Sequence, residues 1–132
     1  MLTSVNVKRI LFRYFRVLMP ITLDVEKQSP SDADTAVYKA KGKLSLETVN
    51  SFIQKMRAET AGYVIMDLSG VTFLDSAGVG ALVSLFVSRR NQGKVFALAA
   101  LQPQSTAVVT VAGLQNLLPI YKTVEEAATK KA

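Results

Sequence analysis

The sequence predicts one α/β domain, a mixed central β-sheet with flanking helices. Three observations carry this. Segments with the two-residue period of a strand alternate along the chain with segments of helical spacing, the order that packs helices on a sheet. Two runs, YVIMDL (residues 63–68) and VFALAAL (residues 95–101), are apolar with almost no polar interruption, as in strands covered on both faces. The chain has 132 residues, 49% of them hydrophobic, with no internal repeat or interdomain linker, which suits a single core.

The elements follow in order. Ile21, Leu23 and Val25 alternate with Thr22, Asp24 and Glu26, a half-buried strand, and SPSD (residues 29–32) turns the chain. Ala36, Tyr38 and Ala40 mark a second strand that ends at Gly42 and closes a hairpin with the first. Ser45 is placed to cap a helix beginning near Leu46, with Glu47 in its first turn and Val49, Phe52, Ile53 and Met56 on one face. After the central strand YVIMDL, Val79, Leu82, Val83 and Phe86 repeat the helical spacing, and Arg89, Arg90 and Gly93 supply the cations and glycine of a helix end. The strand from Val95 precedes a short helix from Thr106 that Gly113 stops, a last strand at Pro119, Ile120 and Tyr121, and a closing helix over residues 124–131. The predicted order is β-β-α-β-α-β-α-β-α.

Composition removes several chemistries. The chain has no cysteine, hence no disulfide, thiolate metal site or thiol nucleophile, and a cytoplasmic setting is expected. It has no histidine, so the usual serine triad and imidazole-bound zinc are absent, and no enzymatic activity or cofactor is expected. Gly78-Val79-Gly80 begins like a dinucleotide fingerprint, but Val83 stands where the third glycine belongs, and no phosphate-loop motif is present. Asp67 and Asp75 flank the end of the predicted central strand, a place for a magnesium ion or, at Asp67, for a receiver-type phosphoacceptor, but the nearby acidic pair and well-placed lysine of the latter are missing.

The net charge of +6 is unevenly spread. Residues 1–19 hold Lys8, Arg9, Arg13 and Arg16 with no acid, leaving the body with twelve bases against ten acids. Such a body lacks the basic stripe of a nucleic-acid domain, so no direct nucleic-acid contact is expected. The segment VNVKRILFRYFRVLM (residues 5–19) mixes arginines with Ile10, Leu11, Phe12, Tyr14, Phe15, Val17 and Leu18. It reads either as a basic amphipathic extension able to lie on an anionic membrane or as a loose tail upstream of a true start at Met19. Its arginines interrupt every apolar run before it reaches a spanning length of about 18 residues.

The junction FLDSAGVGALV (residues 73–83) places an acid, a hydroxyl and two glycines between strand and helix. Asp75 or Ser76 as an ordinary N-cap explains it, with Gly78 and Gly80 allowing close packing. The surrounding pattern offers another reading. VIMDLSGVTFLDSAGVGALVSLFVSRRNQGKVFALAAL, with the tail VAGLQNLLPIYKTVEEA, resembles the STAS domain family, specifically the bacterial anti-sigma-factor antagonists. In these a D-S-x-G junction follows a strand and opens an apolar helix. The resemblance covers Pro20 to Thr129, so residues 20–132 are expected to form a STAS-like domain behind an extension at 1–19.

The resemblance implies that Ser76 is phosphorylated by a partner that is both a serine kinase and an anti-sigma factor. The unmodified domain would bind that kinase and free the sigma factor, regulating transcription, and a phosphatase would reset it. It also implies a partner-binding surface at Asp75, Ser76, Ala77, Gly78 and Val79, with Ser45 nearby. Two departures stand out. Ala77 replaces a second hydroxyl, and Gly42-Lys43-Leu44-Ser45 replaces the family's G-E-L-D stretch, so the acidic pair that contacts the kinase is missing. The alternative reading is a STAS subunit of another assembly, in lipid transport or stress signalling, in which Ser76 only caps its helix.

Overall fold

The computed structural model describes residues 21–28 and 34–130; the turn expected at 29–32 and the segment 5–19 lie outside them. The described chain runs β1 (Leu23–Lys27), β2 (Thr35–Leu44), α1 (Val49–Arg57), β3 (Tyr63–Leu74), α2 (Ser76–Asn91), β4 (Val95–Ala99), α3 (Pro103–Val111), β5 (Ile120–Tyr121) and α4 (Val124–Thr129). This is the order the periodicity predicts. The five strands form one sheet in sequence order. β1 runs antiparallel to β2, and the other neighbours are parallel, so the sheet is mixed.

Successive side chains of a strand point to opposite faces, and here both faces are covered. Val64, Met66 and Leu68 of β3, with Phe96 and Leu98 of β4, join the core that includes Phe52 and Met56 of α1, Val79, Leu82 and Leu85 of α2, and Val109 of α3. Tyr63, Ile65, Ala97 and Ala99 face the other way and pack with Ala127 of α4. The Tyr63 hydroxyl donates to the Ala127 carbonyl at 2.7 Å, fixing α4 to that face. Each large aliphatic side chain fully buried here contributes about 1.5–3 kcal/mol.

Two local departures from the sequence reading have physical causes, and one residue does more than that reading assigned to it. First, α1 begins at Val49, not near Leu46, and Ser45 is not its N-cap. Thr48 stands before the helix instead; its hydroxyl donates to the Lys43 carbonyl at 2.8 Å and accepts from the Ser45 amide at 3.0 Å. Second, β3 runs on to Leu74 because β2 keeps pairing with it to the Leu44–Leu74 register, while β4 stops at the Asp67–Ala99 pair. Ala100, with φ +59, turns the chain off the sheet there. Two glutamines take over part of the vacated edge: Gln102 donates to the Ser69 carbonyl at 2.6 Å, and the Gln104 carboxamide pairs with both the amide and the carbonyl of Leu74 at 2.9 and 3.0 Å.

Arg89 and Arg90 stand in the last turn of α2, as the sequence reading has them, but Arg89 is buried there. It is 5% exposed and donates to the carbonyls of Glu59, Ala61 and Val95, tying the end of α2 to the approach to β3 and the start of β4. Glu59 is held from its other side. Its carboxylate accepts from Lys27 at 2.8 Å, Tyr38 at 2.7 Å and the Ala61 amide at 2.8 Å. The Lys27 hydrogen bond, followed by that of Tyr38, holds the Glu59 carboxyl down at about 2, and burial, then Glu59, pushes the Tyr38 phenol up to about 12.

Two expected outcomes follow from this network. Arg89→Ala leaves three carbonyls without their donor and should cost about 3 kcal/mol in urea unfolding, whereas Arg90→Ala, at an exposed position, should stay within about 0.5 kcal/mol. Similar small losses in both would contradict the role of Arg89. Because the Glu59 carboxyl is depressed from 4.5 to about 2, its contribution is present above pH 4.5 and disappears as pH falls toward 2. Urea midpoints over that window should fall more steeply for the native chain than for Glu59→Gln. At the other extreme, the raised Tyr38 phenol contributes below pH 10 and is lost as pH climbs to about 12.

Candidate functional site

The junction lies where β3 gives way to α2. Asp75 takes an extended conformation (φ −108, ψ −175), and Ser76 is the first helical residue. The first amides of a helix have no partner within it, and an acceptor at the N-cap satisfies one of them. Here Asp75 Oδ1 accepts from the Gly78 amide at 2.9 Å. Its Oδ2 accepts from the Leu46 amide at 3.1 Å, and the Asp75 amide donates to the Leu44 carbonyl at 3.3 Å. One carboxylate therefore fastens the start of α2 to the turn between β2 and α1.

That fastening requires close approach. A Cβ on Gly78 would sit 2.3 Å from the Leu44 carbonyl oxygen, so only glycine lets the first turn of α2 lie against the end of β2. Gly80 is different: it is exposed, and a Cβ there would meet nothing within 4 Å. The packing reason given by sequence holds for Gly78 alone.

The six residues singled out by sequence are gathered here but presented differently. Ser76 is exposed, and among the described residues its hydroxyl has no hydrogen-bond partner; Asp75, not Ser76, is the cap. Asp75 and Ala77 are half-buried. Gly78, Val79 and Ser45 are buried, and the Ser45 hydroxyl donates to Glu47 at 2.9 Å. Asp67 is not beside Asp75: it pairs in mid-strand with Lys39 and Ala99, and its Oδ1 accepts from the Ser69 amide at 2.9 Å. Among the described residues no group of three or more metal-ligating side chains is found, and no helix is long and apolar enough to cross a membrane.

On one side of Ser76 lies an apolar groove of about 410 Å³ between α2 and α3, lined by Ser76, Val79, Ala107, Val108, Val111 and Ala112. The other side carries Asp75 with Ser45, Glu47 and Lys43. Sequence reasoning missed Thr48 and Gln104, which hold the two flanks of the junction. Gln104 was beyond reach, since its role depends on β4 stopping short, whereas Thr48, a hydroxyl three residues after Ser45, was an equal candidate from the start.

With this geometry in place, comparison with known proteins decides the family. The STAS domain model matches residues 25–127. The chain belongs to the STAS domain family. Among solved structures, this STAS domain is similar to an anti-sigma factor antagonist from Mycobacterium paratuberculosis, with 22% identity, coverage of 83% of this chain and 94% of that one, and a TM-score of 0.73. It is similar also to the unphosphorylated anti-sigma factor antagonist SpoIIAA, with 20% identity, 81% and 95% coverage and a TM-score of 0.67. A third likeness is to the murine Solute Carrier 26 family member A9 anion transporter, at 17% identity and a TM-score of 0.73, where the match covers 96% of this chain but 24% of the transporter. At these identities the likenesses show a shared fold, one used both by free-standing antagonists and inside a transporter.

The two glycines of this STAS domain should respond oppositely. Gly80→Ala removes backbone freedom from the unfolded chain at no steric cost and should stabilise by about 0.5–1 kcal/mol. Gly78→Ala pushes a methyl group onto the Leu44 carbonyl and should destabilise by about 1–3 kcal/mol. Urea unfolding of both variants checks the pair; equal effects would mean that α2 does not start as tightly as described.

Proposed function

We propose that this STAS domain is an anti-sigma-factor antagonist, a protein-interaction module without catalysis of its own. It binds an anti-sigma factor serine kinase while Ser76 is unmodified, freeing the sigma factor, and lets the kinase go once Ser76 carries phosphate; a phosphatase restores it. The observation that carries this reading is the Ser76 hydroxyl, exposed and without a partner among the described residues, at the first position of a helix that Asp75 already caps. A serine needed only for capping would be using its oxygen on a backbone amide, and this one does not.

The physical account of the switch is local. A phosphate adds −1.5 to −2 charges at pH 7. At a helix N-terminus those charges face the free amides and the positive end of the dipole, so the domain keeps its fold. A partner surface fitted to a hydroxyl, however, would have to desolvate a dianion standing next to Asp75. A penalty of about 3–4 kcal/mol lowers affinity by roughly a hundredfold to a thousandfold.

One observation favours a second reading, a subunit of another assembly: Lys43 is half-buried beside the junction, where the family's kinase-contacting acidic pair would stand. Both readings are separated by titrating the cognate kinase. Ser76→Ala should bind like the native chain but gain no phosphate by mass in the presence of ATP, and Ser76→Asp should bind about a hundredfold more weakly with an unchanged circular dichroism spectrum and melting temperature. A Ser76→Asp chain that binds as tightly as the native one, or phosphate gained by Ser76→Ala, would overturn the proposal.

A further inference from the structure

From Val95 to Tyr121 the chain has no charged residue, although Asp, Glu, Lys and Arg make up 20% of the whole. β4 is buried after Val95, so its share of that run is ordinary. α3 is not buried all round: Thr106, Ala107, Thr110 and Val111 are exposed, as is Ala112 directly after it. A helix with one side in water ordinarily sets charges there, and a surface that loses charge while keeping apolar groups has the composition of the core of a protein interface. Val111 stands at 90% exposure, above every other large apolar side chain among the described residues.

The place of this surface is the second observation. Ala107, Val108, Val111 and Ala112 line the α3 side of the groove of about 410 Å³, and Ser76 and Val79 line the α2 side, so the serine borders an uncharged trough. Area is the third. A stable protein interface takes about 800 Å² from each partner. At the junction Gly78, Val79 and Ser45 are buried and Asp75 and Ala77 are half-buried, which leaves too little surface for such a contact. The groove starts at Ser76 and continues it with the exposed side of α3. A second copy of this chain is the wrong occupant, because seating it there would enclose Ser76 and withdraw its hydroxyl from a kinase.

We propose that the anti-sigma factor kinase that reads Ser76 seats an aliphatic side chain in the groove between α2 and α3, packed on Val79, Val108 and Val111. The groove supplies the affinity, and the serine beside it controls that affinity. The choice of partner rests on Ser76 being the residue the kinase recognises. The groove also gives the switch a physical reason. Phosphate on Ser76 would set a dianion against a contact that the partner has made dry, and among the described residues no cation lines the groove to meet it.

Calorimetric titration of the purified anti-sigma factor serine kinase into the full chain, without ATP, tests the docking. Val111→Asp places a charge in the groove at an exposed position and should weaken binding about thirtyfold, whereas Val111→Leu should bind within about threefold of the native chain. Val87→Asp alters an exposed valine of α2 that does not line the groove and should leave affinity unchanged. Melting curves confirm that the three variants remain folded. Native affinity in Val111→Asp, or an equal loss in Val87→Asp, overturns the proposal. Sedimentation that finds a native dimer, dissociated by Val111→Asp, gives the groove to a second copy and overturns it too. Ser76→Asp in the same titration keeps the two ideas apart. If Ser76→Asp weakens binding and Val111→Asp does not, the groove fails and the switch stands; the reverse pattern leaves the groove standing while the role of Ser76 falls. A kinase that does not bind the native chain overturns both.

Discussion

The Asp75 carboxylate is short, and its two oxygens serve two backbone amides that are far apart in sequence, those of Gly78 and Leu46. One of these opens α2 and the other belongs to the turn before α1. Without the first, the start of α2 has an unmet donor; without the second, the turn after β2 loses its side-chain tie to the end of β3. Because the apolar face of α2 must lie on Phe96 and Leu98 while its first turn lies on the Leu44 carbonyl, the helix has little freedom to slide or rotate. The exposure of Ser76 is a consequence of this constraint. The residues on either side of it are spoken for, and its own oxygen is left over.

Much of this was written legibly in the chain. Element order, the antiparallel hairpin, the doubly covered β3 and β4, and the glycine ends of α2 and α3 all follow from period and punctuation, the last two confirmed by φ +73 at Gly93 and Gly113. The start of α1 was not, because Ser45 and Thr48 are both good caps on paper, and only the fold shows that the Thr48 hydroxyl reaches the Lys43 carbonyl. Arg89 was legible as a helix-end cation, though not as a buried one. It continues the spacing of Leu82 and Leu85 on the buried side of α2, yet two adjacent arginines near a glycine look like a solvated helix end. The length of β3 and the part played by Gln102 and Gln104 depend on where β4 stops, which no local pattern of β3 itself encodes.

The domain separates its stabilising charges from its candidate site. Arg89, Glu59, Tyr38 and Lys27 meet near the start of β3, whereas Asp75 and Ser76 follow its far end, twelve strand residues later. At about 3.3 Å per residue the two groups lie near opposite ends of β3. The site also lies beyond the carboxyl ends of parallel strands, where α/β sheets commonly leave room for partners. Charge added at one end then barely touches the ion pair at the other, since most of the length of β3 lies between them.

The way Asp75 is employed has a further consequence for time. Both oxygens of the carboxylate adjoining Ser76 are committed to holding amides, and the chain has no imidazole to stand in as a base. Were a phosphoester to form on Ser76, the adjoining Asp75 carboxylate would not be free to activate a water against it. The mark would not decay on a clock of its own; it would last until another protein erased it, so the duration of the signal would be written elsewhere in the cell.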